Sequence, residues 1–424
     1  MNSQKYGIPV KIAVLCIIMV QYTITLTTPI LGEIRENYPG GEYEIWIKLI
    51  ETAPTLAMIP VCLLMGPLLK KFRKKILLLA GTLLACGQCL PLFADGFPAI
   101  LAGRLISGLG MGICYPFAGS YILDLFKGRE CDAMMGWRAT VGAAGGVFIM
   151  QASGILAEMY HYRASFGVSL ICLPLLLVMF LFIPDRDPAE ENGPDRCQDP
   201  VKHESGAGKE DRGVFTTAGW KGRTGRGKYP PAAWAVILAN VGTMIFGYTY
   251  MTNTSIVICV AEEQGGLALS AAEASDVLTV MSVVMALSGL IYGRVFVRVF
   301  RTFTTEFGLF MIAAGILFSY FAHSMAVMYL AAAAFGIGFQ VYNAAILQVL
   351  AKRVMPQAVA EATAVFFAFN SAGQFLSSVI VPELNIRILG DTLRGDWLIG
   401  FLCLFAGFAV CILKRLSHRH IIAI

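Results

Sequence analysis

Charge is the scarcest property of this sequence. Only 14% of its 424 residues are Asp, Glu, Lys or Arg, whereas 57% are hydrophobic and the mean hydropathy is +0.67. Soluble domains carry about 25% charged residues, so the composition predicts that most of the chain lies in lipid. Several apolar runs exceed about 18 residues, which is the length of a membrane-spanning helix. The short alternating segments of a membrane β-barrel are not visible, and an all-α membrane protein is predicted.

The sequence also lacks the motifs of enzymes and of ATP-driven pumps. It contains no P-loop, no dinucleotide-binding fingerprint, no metal-ligand cluster and no Ser/His/Asp set. We therefore predict that the protein is not an enzyme and has no cofactor and no metal. The net charge of +5 comes from basic residues in short loops between apolar runs, so no nucleic-acid partner is expected. Most of the eleven cysteines lie within or against apolar runs and are expected to be small core residues.

One basic stretch sets the orientation of the chain. Residues 66–77, GPLLKKFRKKIL, place five Lys and Arg side chains within six positions between two apolar runs. Lysine and arginine beside a membrane span stay on the cytoplasmic side, so this loop is predicted to be cytoplasmic. A similar stretch, residues 293–301, follows another apolar run 227 positions later. An orientation signal that occurs twice suggests a duplicated membrane protein.

The apolar runs predict twelve transmembrane helices with both termini in the cytoplasm, in a multi-pass protein of the cell membrane. They lie at about 11–31, 46–69, 76–94, 98–124, 133–157, 165–183, 232–258, 273–297, 303–322, 326–350, 358–381 and 397–413. Residues 184–230 are polar and rich in Gly, Pro and charge, and are predicted to form a disordered cytoplasmic linker. The chain is thus divided into a six-helix half over 1–183 and a second over 231–424.

The two halves share more than a helix count. Gly108 and Gly110 of the fourth run correspond to Gly336 and Gly338 of the tenth, 228 positions on. The segment 142–145 of the fifth run corresponds to 370–373 of the eleventh at the same spacing. Two pseudo-symmetric six-helix halves around a midplane site are typical of secondary transporters.

These motifs resemble the major facilitator superfamily (MFS) over nearly the whole chain. Residues 66–75 are similar to its signature Gly-x-Leu-x-Asp-Arg-x-Gly-Arg-Arg, with Lys70 at the Asp position and Arg73 at the second Gly. Arg104 followed by Gly108 and Gly110 resembles its fourth-helix signature. Residues 28–29, 54–56 and 373–377 are similar to the bacterial drug-efflux and arabinose-efflux-like branch. The Gly-rich segment 142–146 lacks the proline of the antiporter signature, which weakens the inference of antiport.

Polar side chains near the middle of the spans predict a substrate site, because such groups are costly in lipid unless they face a cavity or a partner. The alternative is that these side chains join helices to one another. The predicted substrate-binding residues are Gln21, Thr25, Tyr115, Tyr248, Gln340, Asn343, Asn370 and Gln374.

Charged residues within the spans are the candidates for coupling. The resemblance implies a role in proton coupling or an ion pair for Arg104, although a position near the span end also permits its side chain to snorkel to the surface. Glu51 is the best proton-carrier candidate, with an interfacial carboxylate as the alternative. Arg138 is expected to pair with Asp124 at the end of the fourth run, and both are counted among the gating residues.

A gating contact between the halves is predicted on the cytoplasmic side. In the superfamily, the loop Asp lies against the start of helix eleven. Here Lys70, together with Lys71, is expected to pair with Glu361 in the first turn of that helix, where a carboxylate also complements the helix dipole. The alternative is that Lys70 only sets orientation and Glu361 only complements the dipole.

The sequence therefore predicts a secondary active transporter. The favoured function is proton-coupled efflux of a small amphiphilic, drug-like or sugar-like compound by a monomer, with protons as coupling ions and the lipid bilayer as surroundings. An importer of a sugar or small organic anion is the alternative, although Arg104 is the one mid-cavity charge that would favour it. A non-transporting membrane sensor is a third possibility, for which no extra soluble domain is present.

Overall fold

The computed structural model describes residues 6–38, 43–126, 129–185, 230–354 and 359–422, and in these ranges the regular structure is entirely helical. We number the main helical segments α1 to α12 in chain order. They are α1 Ile8–Asn37, α2 Glu44–Lys71, α3 Lys74–Phe93, α4 Phe97–Leu125, α5 Arg129–Met159, α6 Tyr162–Phe182, α7 Pro231–Cys259, α8 Ala271–Ile291, α9 Thr304–Tyr320, α10 Met325–Ala351, α11 Val359–Leu389 and α12 Gly395–Ile422.

Eleven segments of the described chain are long and apolar enough to cross a membrane. The remaining one, α9, is a shorter apolar helix of 17 residues. At 1.5 Å per residue it extends about 26 Å, somewhat less than a hydrocarbon core of about 30 Å. The predicted all-helical membrane fold is confirmed. The predicted linker at 184–230 lies outside the described residues except at its two ends.

Pairs of glycines allow the same close helix contacts in both halves. A Cβ atom on Gly110 of α4 would lie 2.4 Å from the carbonyl oxygen of Gly81 in α3. A Cβ atom on Gly338 of α10 would lie 2.4 Å from the backbone nitrogen of Ile312 in α9. Only glycine permits backbones to approach so closely, so the repeated glycines of the sequence make equivalent contacts.

A second pair of glycines repeats the contact between the fifth and first helix of each half. A Cβ atom on Gly145 of α5 would lie 2.5 Å from the sulfur of Met19 in α1. A Cβ atom on Gly373 of α11 would lie 2.8 Å from Cβ of Met244 in α7. The internal repeat is therefore visible in packing as well as in sequence.

Several helices are interrupted inside the bundle. The segment Thr23–Thr27 of α1 and the segment Cys86–Cys89 of α3 are 3₁₀ helices, and α7 turns at Tyr248 between its two helical parts. A change from α to 3₁₀ hydrogen bonding alters which carbonyl groups are used within the helix. The α1 interruption places the carbonyl of Ile24 at the polar site described below, and the α3 interruption places the side chain of Gln88 there.

The two halves meet mainly through α2 against α11 and α5 against α8, with α1 against α7. We call the side that carries residues 66–77 the basic side, and the other the opposite side. The hydrogen bonds between the halves that join described residues lie between the opposite side and about mid-depth. They involve the opposite-side parts of α1, α2, α5, α7, α8, α11 and α12.

Candidate functional site

Arg104 of α4 is completely buried, and each of its three guanidinium nitrogens has an acceptor. Nε donates to the carbonyl of Ile50 at 2.8 Å, and Nη1 donates to the carbonyl of Ile24 and to Oε1 of Gln88, each at 2.8 Å. Nη2 donates to the carbonyl of Glu51 at 3.1 Å and lies 3.7 Å from its carboxylate. Guanidinium has five N–H donors, so four are used in hydrogen bonds and the Glu51 carboxylate lies beside the nitrogen that carries the fifth.

The partners of Arg104 come from three other helices. Ile24 lies in the 3₁₀ interruption of α1, Gln88 lies in that of α3, and Ile50 and Glu51 lie in α2. Arg104 therefore holds four helices of one half together from within. The side chain does not snorkel to the membrane surface, so the predicted ion pair is found and the alternative is wrong.

Glu51 is the carboxylate of this cluster, and its side chain is 4% exposed. One carboxylate oxygen accepts a hydrogen bond from Thr27 and the other accepts one from Thr28, each at 2.8 Å. Both threonines lie at the end of the α1 interruption. The Glu51 carboxylate is therefore paired with Arg104 of α4 and hydrogen-bonded to α1. Protonation of this carboxylate would alter the contacts of both helices.

A second buried ion pair joins the two halves on the opposite side. Nζ of Lys48 in α2 lies 2.6 Å from Asp396 at the start of α12, and both side chains are less than 7% exposed. Asn253 and Asn385 also donate to Asp396, at 3.2 and 2.8 Å. This pair is not predictable from the sequence, because both residues lie at the ends of apolar runs, where charged residues are common.

Further polar contacts accompany this pair. Thr52 of α2 donates to Ser378 of α11 at 2.8 Å, and Gln151 of α5 donates to Asp276 of α8 at 2.8 Å. Ser255 of α7 donates a hydrogen bond to the carbonyl of Pro29 in α1. It also accepts one from the backbone N–H of Gly32 at 3.1 Å. The opposite side is therefore closed by a polar seam, which is buried at Lys48–Asp396, at Thr52–Ser378 and at Ser255, and exposed at Gln151–Asp276.

Tyr115 marks a cavity between the halves. It lies close to Tyr22 of α1, Cys62 of α2 and Tyr248 of α7, so it lies inside the bundle. Its side chain is nevertheless 44% exposed, which places it at an internal open space. Tyr248 is half-buried and interacts electrostatically with both Glu51 and Arg104. These two tyrosines connect the cavity to the buried cluster.

Four predicted substrate-binding residues of the second half are half-buried within α10 and α11: Gln340, Asn343, Asn370 and Gln374. Asn370 accepts a hydrogen bond from Asn240 of α7 at 3.0 Å, whereas the buried Oδ1 of Asn240 has no partner among the described residues. Gln340 lies against Gly289 of α8. The amides thus combine helix contacts with partial exposure.

Three predicted substrate residues use their polar groups for helix structure. Gln21 is 6% exposed and donates to the carbonyls of Cys114 and Tyr115. Thr25 donates to the carbonyl of Tyr22, and Asn343 donates to the carbonyl of Phe339 in its own helix. Gln21 joins α1 to α4, as in the alternative interpretation, whereas Thr25 and Asn343 bond within their own helices; a substrate role for the three residues stays a prediction.

The partner predicted for Arg138 is wrong. Asp124 forms an ion pair with Lys74 at the start of α3, not with Arg138. The start of α3 and the end of α4 lie side by side on the basic side, and Lys74 also lies over the ring of Tyr121, 4.6 Å from its centroid. The reason is local geometry, because Lys74 reaches Asp124 from the adjacent helix.

The predicted contact on the basic side cannot be compared with the structure. The side chains of Lys70 and Glu361 lie outside the described residues. Nζ of Lys71 is 5.6 Å from the ring centroid of Phe72. Pairing of Lys70 and Lys71 with Glu361 stays a prediction.

Two repeated sets of helices that meet around buried polar groups have the architecture of a membrane transporter. The chain belongs to the Major Facilitator Superfamily, because the family model of that name matches residues 13–378. No curated protein is matched by the sequence.

Solved structures of transporters share this fold. A mutant of the nucleoside transporter NupG is 11% identical with a TM-score of 0.74, and the match covers 96% of this chain and 99% of that one. A bacterial homologue of the human lysosomal transporter Spinster, inward-facing and unoccupied, is 13% identical with a TM-score of 0.67, covering 97% and 96%. An auto-inhibited POT family peptide transporter is 14% identical with a TM-score of 0.66, covering 95% and 96%.

Proposed function

We propose that this protein is a proton-coupled secondary transporter of the cell membrane that exports a small amphiphilic organic compound by alternating access, in the manner of the drug-efflux and arabinose-efflux-like branch. It has twelve spans, with α9 as the ninth and with both termini in the cytoplasm. The halves are residues 1–183 and 231–424, joined by a cytoplasmic linker at 184–230. The protein acts as a monomer.

The proposal depends most on one observation, the closure of one side by a polar seam. With the basic side as the cytoplasmic side, the cavity that contains Tyr115 is reached from the cytoplasm. The Spinster homologue, which has a similar fold, is described as inward-facing. An inward-open cavity is the state in which an exporter loads its substrate.

Glu51 is the proposed proton carrier. Protonation of Glu51 removes its attraction to Arg104. It also turns the carboxylate that accepts hydrogen bonds from Thr27 and Thr28 into a neutral carboxylic acid. The next residues of α1, Pro29 and Gly32, hold Ser255 of α7. A change at Glu51 is thereby transmitted along α1 to a contact between the halves, which couples protonation to opening of the opposite side.

The proposed substrate lies against Tyr115 and Tyr248 on one side and against Gln340, Asn370 and Gln374 on the other. Tyrosines supply an aromatic surface and a hydroxyl, and amides supply donors and acceptors. This combination suits an amphiphilic compound with an aromatic or apolar body and a polar group.

Transport in everted membrane vesicles under an imposed pH gradient tests this proposal with a compound panel. We expect uptake into everted vesicles, driven by the gradient and abolished by a protonophore. Glu51→Gln should lose gradient-driven accumulation but keep exchange of labelled substrate for unlabelled, because exchange needs no net proton movement. The control is Glu158→Gln, which changes an exposed carboxylate at the opposite-side end of α5.

The outcomes separate the alternatives. Accumulation in right-side-out vesicles, and none in everted ones, would identify an importer. Gradient-driven transport that is unchanged in Glu51→Gln would remove Glu51 from the coupling mechanism.

A further inference from the structure

Arg138 of α5 points into the space between α1 and α4. Residues 138, 142 and 146 share one helix face, since they are spaced by four, and Gly142 and Gly146 both pack against the ring of Tyr22 in α1. A Cβ atom on Gly119 of α4 would lie 3.5 Å from Nη1 of Arg138. The guanidinium therefore lies one turn nearer the basic side than this Tyr22 contact.

The surroundings of Arg138 are those of the cavity. The guanidinium lies close to Tyr22 and to Tyr115, the residue that marks the open space. Gly119 follows Tyr115 by one turn of α4, so Arg138 lies next to Tyr115 on the path from the basic side. Arg138 itself is half-buried.

Its guanidinium has no ion pair and no hydrogen-bond acceptor in the part of the chain that the structure describes. Three other cations of the first half are paired in the described residues: Lys11 with Glu130 at 2.6 Å, Lys74 with Asp124, and Arg104 with Glu51. A guanidinium inside a membrane protein is costly unless it has a partner or faces water. Among these cations, Arg138 alone retains its full capacity for an anion.

We propose that Arg138 binds the anionic group of the substrate, and that the substrate is an organic anion with a carboxylate or phosphate group and an aromatic or apolar body. This inference rests on the proposed function and names the substrate class. A guanidinium binds carboxylate and phosphate through two parallel hydrogen bonds. The rings of Tyr22 and Tyr115 beside it supply the surface for the apolar body.

Binding to the purified full-length protein in detergent tests this inference. The probes are naphthoate, naphthyl phosphate and uncharged naphthamide, which share one aromatic body, together with inorganic phosphate. Affinities are measured by thermal stabilisation and by calorimetry for the wild type, Arg138→Gln and Arg138→Lys. The control is Arg298→Gln, which removes one positive charge from an exposed position just beyond the basic-side end of α8.

We expect at least one naphthyl anion to bind more tightly than naphthamide. Arg138→Gln should weaken its binding by about tenfold or more, which corresponds to the loss of a charge-assisted hydrogen bond. Arg138→Lys should retain part of the affinity because it keeps the charge but loses the planar fork. Naphthamide binding, and all binding to Arg298→Gln, should be unchanged.

Several results would overturn the inference: neither naphthyl anion binds, Arg138→Gln binds them as the wild type does, or anion and amide lose affinity equally. Inorganic phosphate that binds as tightly as naphthyl phosphate would exclude an organic substrate. If Arg138→Gln does not yield folded protein, the comparison of Arg138→Lys with the wild type decides between these outcomes. Binding in detergent needs no gradient, so failure of proton coupling in vesicles leaves this test intact.

Discussion

Lys48 and Asp396 form the one contact between the halves in which two charges are both buried, within the described chain. Removing one partner leaves the other charge buried without compensation, which costs about 3–5 kcal/mol. We expect Asp396→Asn to lower the thermal unfolding midpoint and to open the opposite side. The readouts are unfolding in detergent and maleimide labelling of the native Cys259, which is 7% exposed at the α1–α7 contact.

Glu383→Gln is the matched control for this prediction. Glu383 pairs with Arg387 at 2.6 Å on the same side, but both side chains are more than 40% exposed. An exposed pair contributes about 0–1 kcal/mol, so this variant should leave both readouts unchanged. Equal effects of the two variants would show that the buried pair does not hold the seam.

Individual residues differ in how far sequence alone can predict their contacts. Arg104 could be identified as important because a buried cation needs partners. Three of its four hydrogen-bond acceptors are backbone carbonyls, of Ile24, Ile50 and Glu51, and carbonyls leave no trace in a sequence. The partner predicted for Arg138 was wrong, because Asp124 at the end of α4 is paired with Lys74 of α3.

At the scale of helices, the repeated glycines set how closely α4 and α10 pack in their halves. Gly338→Ala should lower the unfolding midpoint strongly, because its Cβ would lie 2.4 Å from the Ile312 nitrogen and 2.8 Å from the Gly308 oxygen. Separating α9 and α10 enough to admit the methyl group costs about 1–3 kcal/mol. Thermal unfolding of the purified variant in detergent measures the effect.

Gly242→Ala serves as the control for this prediction. Gly242 is also inside a helix, but nothing lies within 4 Å of a Cβ at that position. Alanine is favoured over glycine in a helix by roughly 0.5–1 kcal/mol, so the control should be neutral or stabilising. Similar midpoints for the two variants would contradict the close-contact explanation.

The apolar runs of the sequence predicted the positions of the helices but not the interruptions within them. The 3₁₀ segments at 23–27 and 86–89 contain no proline and no charged residue. Thr23 and Thr25 each donate to a carbonyl three residues earlier, which favours a local change of helix type. Threonines also make such bonds within regular helices, so their presence in a sequence does not locate an interruption. The cluster around Arg104 therefore could not be predicted from the sequence.

At the scale of the whole molecule, the orientation in the membrane is the next quantity to measure. Single cysteines introduced at 34–43 and at 384–394 should react with a membrane-impermeant reagent added to intact cells, because the positive-inside pattern places these ends outside. Cysteines at 184–230 should react only after the cells are opened. Labelling of the central segment from outside would reverse the orientation and the assignment of the open side.

If Arg138 is the anion site proposed above, its positive charge makes the carrier responsive to voltage. When the cavity is empty, the charge is exposed to the electrical potential of the compartment to which the cavity opens. A bound monoanion neutralises the charge. Moving one elementary charge across 100 mV corresponds to about 2.3 kcal/mol. A membrane that is negative inside therefore draws the empty carrier back to its cytoplasm-facing state and leaves the loaded one unaffected. With Arg138 as the anion site, the membrane potential drives the return step of export.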